Sequence, residues 1–146
     1  MSVYDANKFL AHLLQALEDA LEDTIGRQGM IALAIQVARR IRELAIGEFS
    51  NIGSINIDDL GEFVKKTSEE LARKLGLHMS IDIEKENGTY KVLTKLIEKK
   101  GTPAIFIPIT IVALALEEAR QRGNKKFVIS DAKISGDAFE FHLVPV

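Results

Sequence analysis

The side chains best suited to catalysis or metal binding are scattered along this chain. Its three histidines, His12, His78 and His142, are far apart, and none forms a His-x-His or His-x-x-x-His pair. The chain has 0 cysteines, which excludes a disulfide framework, a thiolate zinc site and a cysteine nucleophile. Neither a Gly-x-Ser-x-Gly elbow nor a phosphate-binding Gly-x-x-x-x-Gly-Lys segment occurs. The sequence therefore predicts no enzymatic activity, no cofactor and no metal site.

One glycine-containing segment does suggest binding chemistry. Residues 24–31 are Thr-Ile-Gly-Arg-Gln-Gly-Met-Ile, and an Ile-Gly-x-x-Gly loop that enters an apolar helix resembles the clamp of KH domains, which holds single-stranded nucleic acid. In such a clamp Gly26 and Gly29 would approach RNA, and Arg27 would bind a phosphate. The alternative is a tight junction between two helices. We favour the junction, because a long amphipathic helix precedes the loop and the net charge of −2 does not attract phosphate.

The end of the chain suggests a pocket for an apolar ligand. A turn at Ser135-Gly136 would set small side chains opposite large ones, pairing Val128, Ser130 and Ala132 with Leu143, Phe141 and Phe139. Such an arrangement indicates either tight packing, which is the default, or room for a small molecule. Phe106 precedes the last helix and would close the pocket. The candidate ligand-binding residues are Phe106, Ser130, Phe139 and Phe141.

Two helices are predicted in the first third of the chain. Apolar residues at spacings of three and four predict a helix over about residues 5–25 and another over about 30–46, interrupted at Gly26 and Gly29. The apolar side of the second helix covers more than half of its circumference. So wide a face indicates contacts on two sides, either as a central core helix or as a subunit interface, and it predicts a homodimer that forms through helices.

Two further helices have recognisable ends. In the third, Asn56 is the expected N-cap, Asp59 the capping-box residue and Gly76 the left-handed C-cap. In the fourth, Thr102-Pro103 supplies a cap and first-turn proline. Because Pro108 biases the residue before it away from helical angles, we expect a kinked or extended entry and a regular helix only over about 109–122, closed by Gly123.

The remaining segments alternate with the period of strands. Residues 78–86 and 89–98 flank Asn87-Gly88, a strong hairpin signal, which pairs Ile83 with Val92 and Glu84 with Lys91. A second hairpin follows over residues 127–144. We therefore predict an α+β domain spanning residues 1–146, with a four-stranded antiparallel sheet of two hairpins packed against helices in the order ααα-ββ-α-ββ.

Composition and the length of the apolar segments indicate where in the cell the protein is expected. The 146 residues are 47% hydrophobic, with 19 Lys and Arg against 21 Asp and Glu. The longest apolar stretch, Ala104–Leu116, spans about thirteen residues, whereas a membrane-spanning helix needs about twenty. No basic segment followed by an apolar core opens the sequence. A cytoplasmic protein without a membrane span is expected.

Several short segments carry a family resemblance, which is spread over the layout from Ile57 to Val144. They are Lys74-Leu75-Gly76-Leu77, the turn Glu86-Asn87-Gly88, an apolar helix running into Leu116-Glu117-Glu118-Ala119, and a hairpin containing Ser135-Gly136-Asp137-Ala138-Phe139-Glu140-Phe141. This arrangement is similar to the 4-vinyl-reductase or hydrocarbon-binding domain, of the NO-signalling and Golgi-transport ligand-binding superfamily, which includes TRAPP subunits.

The resemblance implies an α/β plait that binds a hydrophobic small molecule or another protein and that often dimerises through helices. It does not imply reductase activity. Cysteines that the family often carries correspond here to Ile105 and Phe139, so a metal or thiol role does not carry over. Three functions follow as hypotheses: a homodimeric ligand-binding or sensory domain, a scaffold with a filled core, and RNA binding at Gly26–Gly29.

Overall fold

The computed structural model of the protein describes residues 6–44, 59–97, 102–121 and 126–146. Helix α1 (Ala6–Leu44) is broken at Gly26, whose φ of 71° and ψ of 176° are not helical. The break divides α1 into an N-terminal segment, residues 6–25, and a C-terminal segment, residues 27–44, which match the two predicted helices. The predicted interruption at Gly29 is wrong, because that residue is helical. A Cβ at Gly29 would lie 3.0 Å from the Cβ of Ile25, so glycine allows the Ile25 side chain to pack there.

Helix α2 (Leu60–Lys74) begins later than the sequence predicts. Its N-cap is Asp59, whose Oδ1 accepts a hydrogen bond from the Glu62 backbone N–H at 3.1 Å, so Asp59 is the cap itself and not the capping-box residue. The predicted cap Asn56 lies outside the described residues. The predicted C-cap is confirmed: Gly76 has φ 73°, and the next N–H, that of Leu77, donates to the Ala72 carbonyl at 2.9 Å.

Strands β1 (Ser80–Glu86) and β2 (Thr89–Lys95) form the first hairpin in the predicted register. Ile83 pairs with Val92 and Glu84 with Lys91. Both turn residues have positive φ, 48° at Asn87 and 85° at Gly88, as the two-residue turn requires. Ile81, Ile83, Tyr90 and Val92 consequently lie on one face of the sheet, whereas Leu93 lies on the other.

Helix α3 (Phe106–Gln121) begins before Pro108, which corrects two predictions. The proline lies in the first turn, where backbone N–H groups have no partner inside the helix, so it causes no loss of hydrogen bonding. Pro103 does not open the helix but forms an isolated β-bridge with Ile97. The predicted closing residue Gly123 lies outside the described residues. Residues 106–115 are all buried, so α3, and not the second predicted helix, is the central helix of the fold.

Strands β3 (Phe127–Ser135) and β4 (Ala138–Pro145) form the second hairpin, with a register that differs from the prediction. Ser135 pairs with Ala138, so the turn is Gly136-Asp137, and Ser130 pairs with His142 instead of Phe141. A β-bulge separates Ser130 from Lys133 and places Asp131 at φ 53°. Because side chains alternate between faces, this shift moves Ser130 to the face opposite the phenylalanines.

The sheet has the strand order β1-β2-β4-β3, and all neighbouring strands are antiparallel. The α+β class and the predicted element order are therefore confirmed. The core lies between one face of the sheet and the helices, with Phe63 from α2, Ile109 from α3, and Val92 and Phe141 from the sheet fully buried. Within the described residues, no helix is long and apolar enough to cross a bilayer.

Candidate functional site

The start of α3 is held by a carboxylate from a distant part of the chain. Glu18, on the N-terminal segment of α1, is 1% exposed. Its two carboxylate oxygens accept hydrogen bonds from the backbone N–H groups of Ile105 and Ile107, both at 2.9 Å. Burial raises the pKa of the Glu18 carboxyl, and these backbone donors partly oppose the rise. Glu18 thus acts as a cap for α3 that is supplied by tertiary structure.

A second buried contact fastens the other end of α3 to α1. Arg42 Nε lies 3.2 Å from Glu118 Oε2, and both side chains are largely shielded from solvent. Glu18 and Arg42 lie on opposite sides of the break at Gly26. The two halves of α1 are therefore attached to opposite ends of the central helix.

An open groove lies where the N-terminal segment of α1, the end of α2 and the hairpin β1–β2 meet. Its volume is about 820 Å³. Leu77, Met79 and Leu96 contribute the apolar floor, and each of them is at least nine-tenths buried. The other lining residues are Gln15, Glu69, Arg73, Gly76, His78, Ser80, Lys95 and Ile97. An apolar floor with polar groups around it suits a small organic molecule more than a metal ion or a long polyanion.

The predicted ligand-binding residues do not line this groove. Phe106, Phe139 and Phe141 are buried in the core, and the rings of the last two have their centroids 5.6 Å apart. Ser130 lies on the opposite face of the sheet, beside His142. The structure thus brings the phenylalanines into one core and leaves Ser130 out of it, while a ligand contact at any of the four stays a prediction.

The proposed nucleic-acid clamp does not form the loop that its hypothesis requires. Gly26 departs from helical geometry, but Arg27 and Gly29 are in the helix that follows. A KH clamp needs a glycine loop that offers its backbone to nucleotides. The break is therefore a helix junction in geometry, and RNA binding at Gly26, Arg27 and Gly29 stays an untested prediction.

The three histidines lie on separate parts of the fold. His12 lies on α1, His78 precedes β1 and His142 lies on β4. In the described ranges there is no group of three or more His, Cys, Asp or Glu side chains that could hold a metal ion. Neither the role of Glu18 nor the groove is predicted from the sequence. The sequence feature that could have indicated a buried Glu18 is an acidic residue among the apolar residues of a helix. The groove is formed by four separate segments, so no local sequence pattern marks it.

Comparisons with known proteins give a distant structural likeness. No family model matches the chain, and no curated protein is significantly similar to it. Among solved structures, the phenol-responsive sensory domain of the transcription activator PoxR, crystallised with phenol, is similar at 16% identity and a TM-score of 0.45. The match covers 92% of this chain and 74% of that one. A likeness this distant supplies no argument about the ligand of the present chain, and membership of the 4-vinyl-reductase family is not established by it.

Proposed function

We propose that this chain is a cytoplasmic, non-enzymatic domain that binds a small hydrophobic molecule and acts as a homodimer, in the manner of a sensory or ligand-carrying module. The observation that carries this proposal is the groove of about 820 Å³ with its floor of Leu77, Met79 and Leu96. Its volume lies in the range of small-molecule sites, roughly 300–1,000 Å³. Burial of apolar ligand surface against this floor would supply about 25 cal/mol per Å².

Polar groups at the rim would select among apolar ligands. Gln15 enters from α1, His78 from the segment before β1 and Lys95 from the end of β2. Each offers at least one hydrogen-bond donor, so the proposed site favours a ligand with an apolar body and one oxygen-bearing end. We assign binding without a reaction because the floor of the groove is apolar.

The proposal is tested by native mass spectrometry of the purified protein, with organic extraction of any retained molecule, and by titration with anilinonaphthalene sulfonate. Ile97 lines the groove and is 46% exposed, so Ile97→Asp should weaken binding of this fluorescent probe about tenfold, equivalent to about 1.4 kcal/mol. Val128 is 42% exposed on β3, away from the groove, and Val128→Asp is the matched control. Protein that carries no molecule and binds the probe equally in all three forms would contradict the proposal.

A scaffold with a filled core is the second candidate, and one observation favours it. The space under the second hairpin is occupied by the buried rings of Phe139 and Phe141, and Phe63 from α2 is buried as well. A domain of this kind would act through its surface and would need no internal cavity. Absence of retained ligand together with a stable homodimer would support this candidate over the first.

A further inference from the structure

A polar pocket of about 370 Å³ lies where the ends of α1 and α3 approach the segment that precedes β3. Apart from the amide of Gln121, its described lining is charged. The cations are Arg39, Arg42, Arg120 and Lys126, and the carboxylates are Glu43 and Glu117. Positive charge is therefore in excess here, although the chain as a whole has 21 acidic and 19 basic residues. Such a lining suits an anion and not the apolar ligand of the groove.

Arg42 is held in this pocket by a buried carboxylate. Its Nε lies 3.2 Å from Oε2 of Glu118, whose side chain is 7% exposed. Since Nε faces Glu118, the donors that Arg42 offers to the pocket are those of its Nη atoms. A guanidinium that is already fixed loses little conformational entropy when an anion binds to it, so Arg42 is preorganised for such a contact.

Arg42 and Arg120 each have a structural role that requires no ligand. Both lie in the last turn of a helix, where cations stabilise the exposed backbone carbonyls, and Nη2 of Arg120 is 3.1 Å from Oε2 of Glu117. Arg39 and Lys126 have no such role. Arg39 lies before the last turn of α1, Lys126 lies outside the helices, and neither forms an ion pair with a described residue. An anion bound between these like charges would reduce their mutual repulsion.

The cations reach the pocket from three separate segments. Helix α1 contributes two arginines, α3 contributes Arg120, and Lys126 lies directly before β3. The backbone at Lys126 is itself fastened, because its carbonyl accepts a hydrogen bond from the Val146 N–H at 3.0 Å. A carboxylate has two oxygens in one plane, whereas a terminal phosphate has three oxygens that point in different directions and carries nearly two charges at neutral pH. Donors that arrive from three segments therefore match a phosphate better than a carboxylate.

We propose that this pocket binds a terminal phosphate group, with Arg39, Arg42 and Lys126 as its principal ligands. The site is separate from the groove, and the inference depends on neither the ligand nor the homodimer of the proposed function. A pocket of about 370 Å³ is larger than a phosphate, so the class of ligand is a phosphate monoester that carries an organic body. Because carboxylates also line the pocket, inorganic phosphate alone should bind in the millimolar range.

Chemical-shift titration of the full chain with inorganic phosphate, at an ionic strength held constant with sodium chloride, measures binding at this site. Saturable shifts are expected at backbone amides of residues 39–43 and 117–121. Arg39→Gln and Lys126→Gln should each weaken phosphate binding by at least about fivefold, because each removes a charge-assisted hydrogen bond. Arg40→Gln is the matched control, since Arg40 is exposed beside Arg39 but does not line the pocket.

Three results of this titration would refute the site. The first is the absence of saturable shifts with phosphate. The second is wild-type affinity in both Arg39→Gln and Lys126→Gln. The third is equal weakening by Arg40→Gln, which would show that phosphate responds only to the overall charge of this surface. Circular dichroism of each variant checks that the helices are retained.

The contribution of Arg42 is tested by a substitution that keeps its charge. In Arg42→Lys an ammonium can still pair with Glu118, so the protein should fold, but the Nη donors are lost and one ammonium replaces a fork of donors. Phosphate binding should therefore weaken by at least about threefold. Wild-type affinity in Arg42→Lys would contradict the assignment of Arg42 as a ligand.

A terminal phosphate can belong to a soluble ester or to a lipid headgroup, and two assays distinguish these sources. Glycerol phosphate should compete with inorganic phosphate in the titration if the ligand is soluble. Co-sedimentation with phosphatidylcholine vesicles that contain phosphatidic acid, lost in Arg39→Gln, would instead assign a lipid headgroup. Failure of glycerol phosphate to compete, together with vesicle binding that Arg39→Gln leaves unchanged, would contradict the phosphate site.

Discussion

At the scale of single residues, Glu18 is an acidic side chain that is almost completely buried. Its carboxylate is buried and accepts from two backbone N–H groups at 2.9 Å. Removal of both acceptors by Glu18→Ala leaves two donors without partners, at about 1–3 kcal/mol each. We therefore expect the free energy of unfolding to fall by about 2–5 kcal/mol, measured by urea denaturation. Glu69→Ala, at an exposed position of α2, is the control and should change stability by less than about 0.5 kcal/mol.

The raised pKa of Glu18 also predicts a dependence of stability on pH. Burial is the principal cause, since it disfavours the ionised form, and the ordinary value is 4.5. Below that pH the carboxyl is protonated in both folded and unfolded protein. As pH rises through the folded pKa, the unfolded chain has already released the proton that the folded protein retains, so this contribution to stability is lost.

The measurement is the difference in unfolding free energy between wild type and Glu18→Gln at several pH values. Glutamine does not titrate, so wild type should lose stability relative to this variant as pH increases above 4.5. A difference that stays constant, or that grows in favour of wild type with rising pH, would contradict the assignment of a raised pKa to Glu18.

At the scale of elements, the break in α1 decides how both halves reach α3. Gly26 has φ 71°, in the left-handed region, and a Cβ there would meet no atom within 4 Å. Gly26→Ala should therefore destabilise the protein through backbone strain alone, by about 1–2 kcal/mol in urea denaturation. Gly26→Asn should cost less, because asparagine tolerates this conformation better than alanine does. Equal stability of all three forms would show that the bend is not required for folding.

The elements themselves were largely predictable from local chemistry. The period of apolar residues indicated both segments of α1, and Asn87-Gly88 determined the register of the first hairpin, since that turn requires positive φ at both positions. The second hairpin has less specific turn residues. Its turn lies at Gly136-Asp137 and its β-bulge follows Ser130, and neither feature has a sequence signature strong enough to exclude a register one residue away.

The parts of the candidate site that could not be predicted depend on distant contacts. The sequence suggested that Pro108 delays the fourth helix, because residues before proline avoid helical angles. In the structure the backbone of that turn is held by Glu18, which is 87 residues from Ile105 along the chain. The groove similarly combines Gln15 with Arg73, His78 and Lys95. Such combinations follow from packing and not from local spacing.

At the scale of the whole molecule, one question separates the two candidate ligand sites: whether the core under the second hairpin is packed or can admit a ligand. The ring of Phe141 is fully buried and lies against the ring of Phe139. The prediction that Phe106, Phe139 and Phe141 contact a ligand requires these rings to move. The proposed groove requires no such movement, because its lining is already open.

Phe141→Ala distinguishes the two sites. In a packed core the substitution leaves a cavity and should lower the unfolding free energy by about 3–5 kcal/mol, while Phe141→Leu, which conserves more of the volume, should cost less. Binding of anilinonaphthalene sulfonate to the folded variant should be unchanged, because Phe141 does not line the groove. Titration under conditions where the variant is folded, verified by circular dichroism, makes this comparison. Probe affinity that falls with Phe141→Leu and is unaffected by Ile97→Asp would place the ligand under the hairpin, and the groove would then have no role in binding.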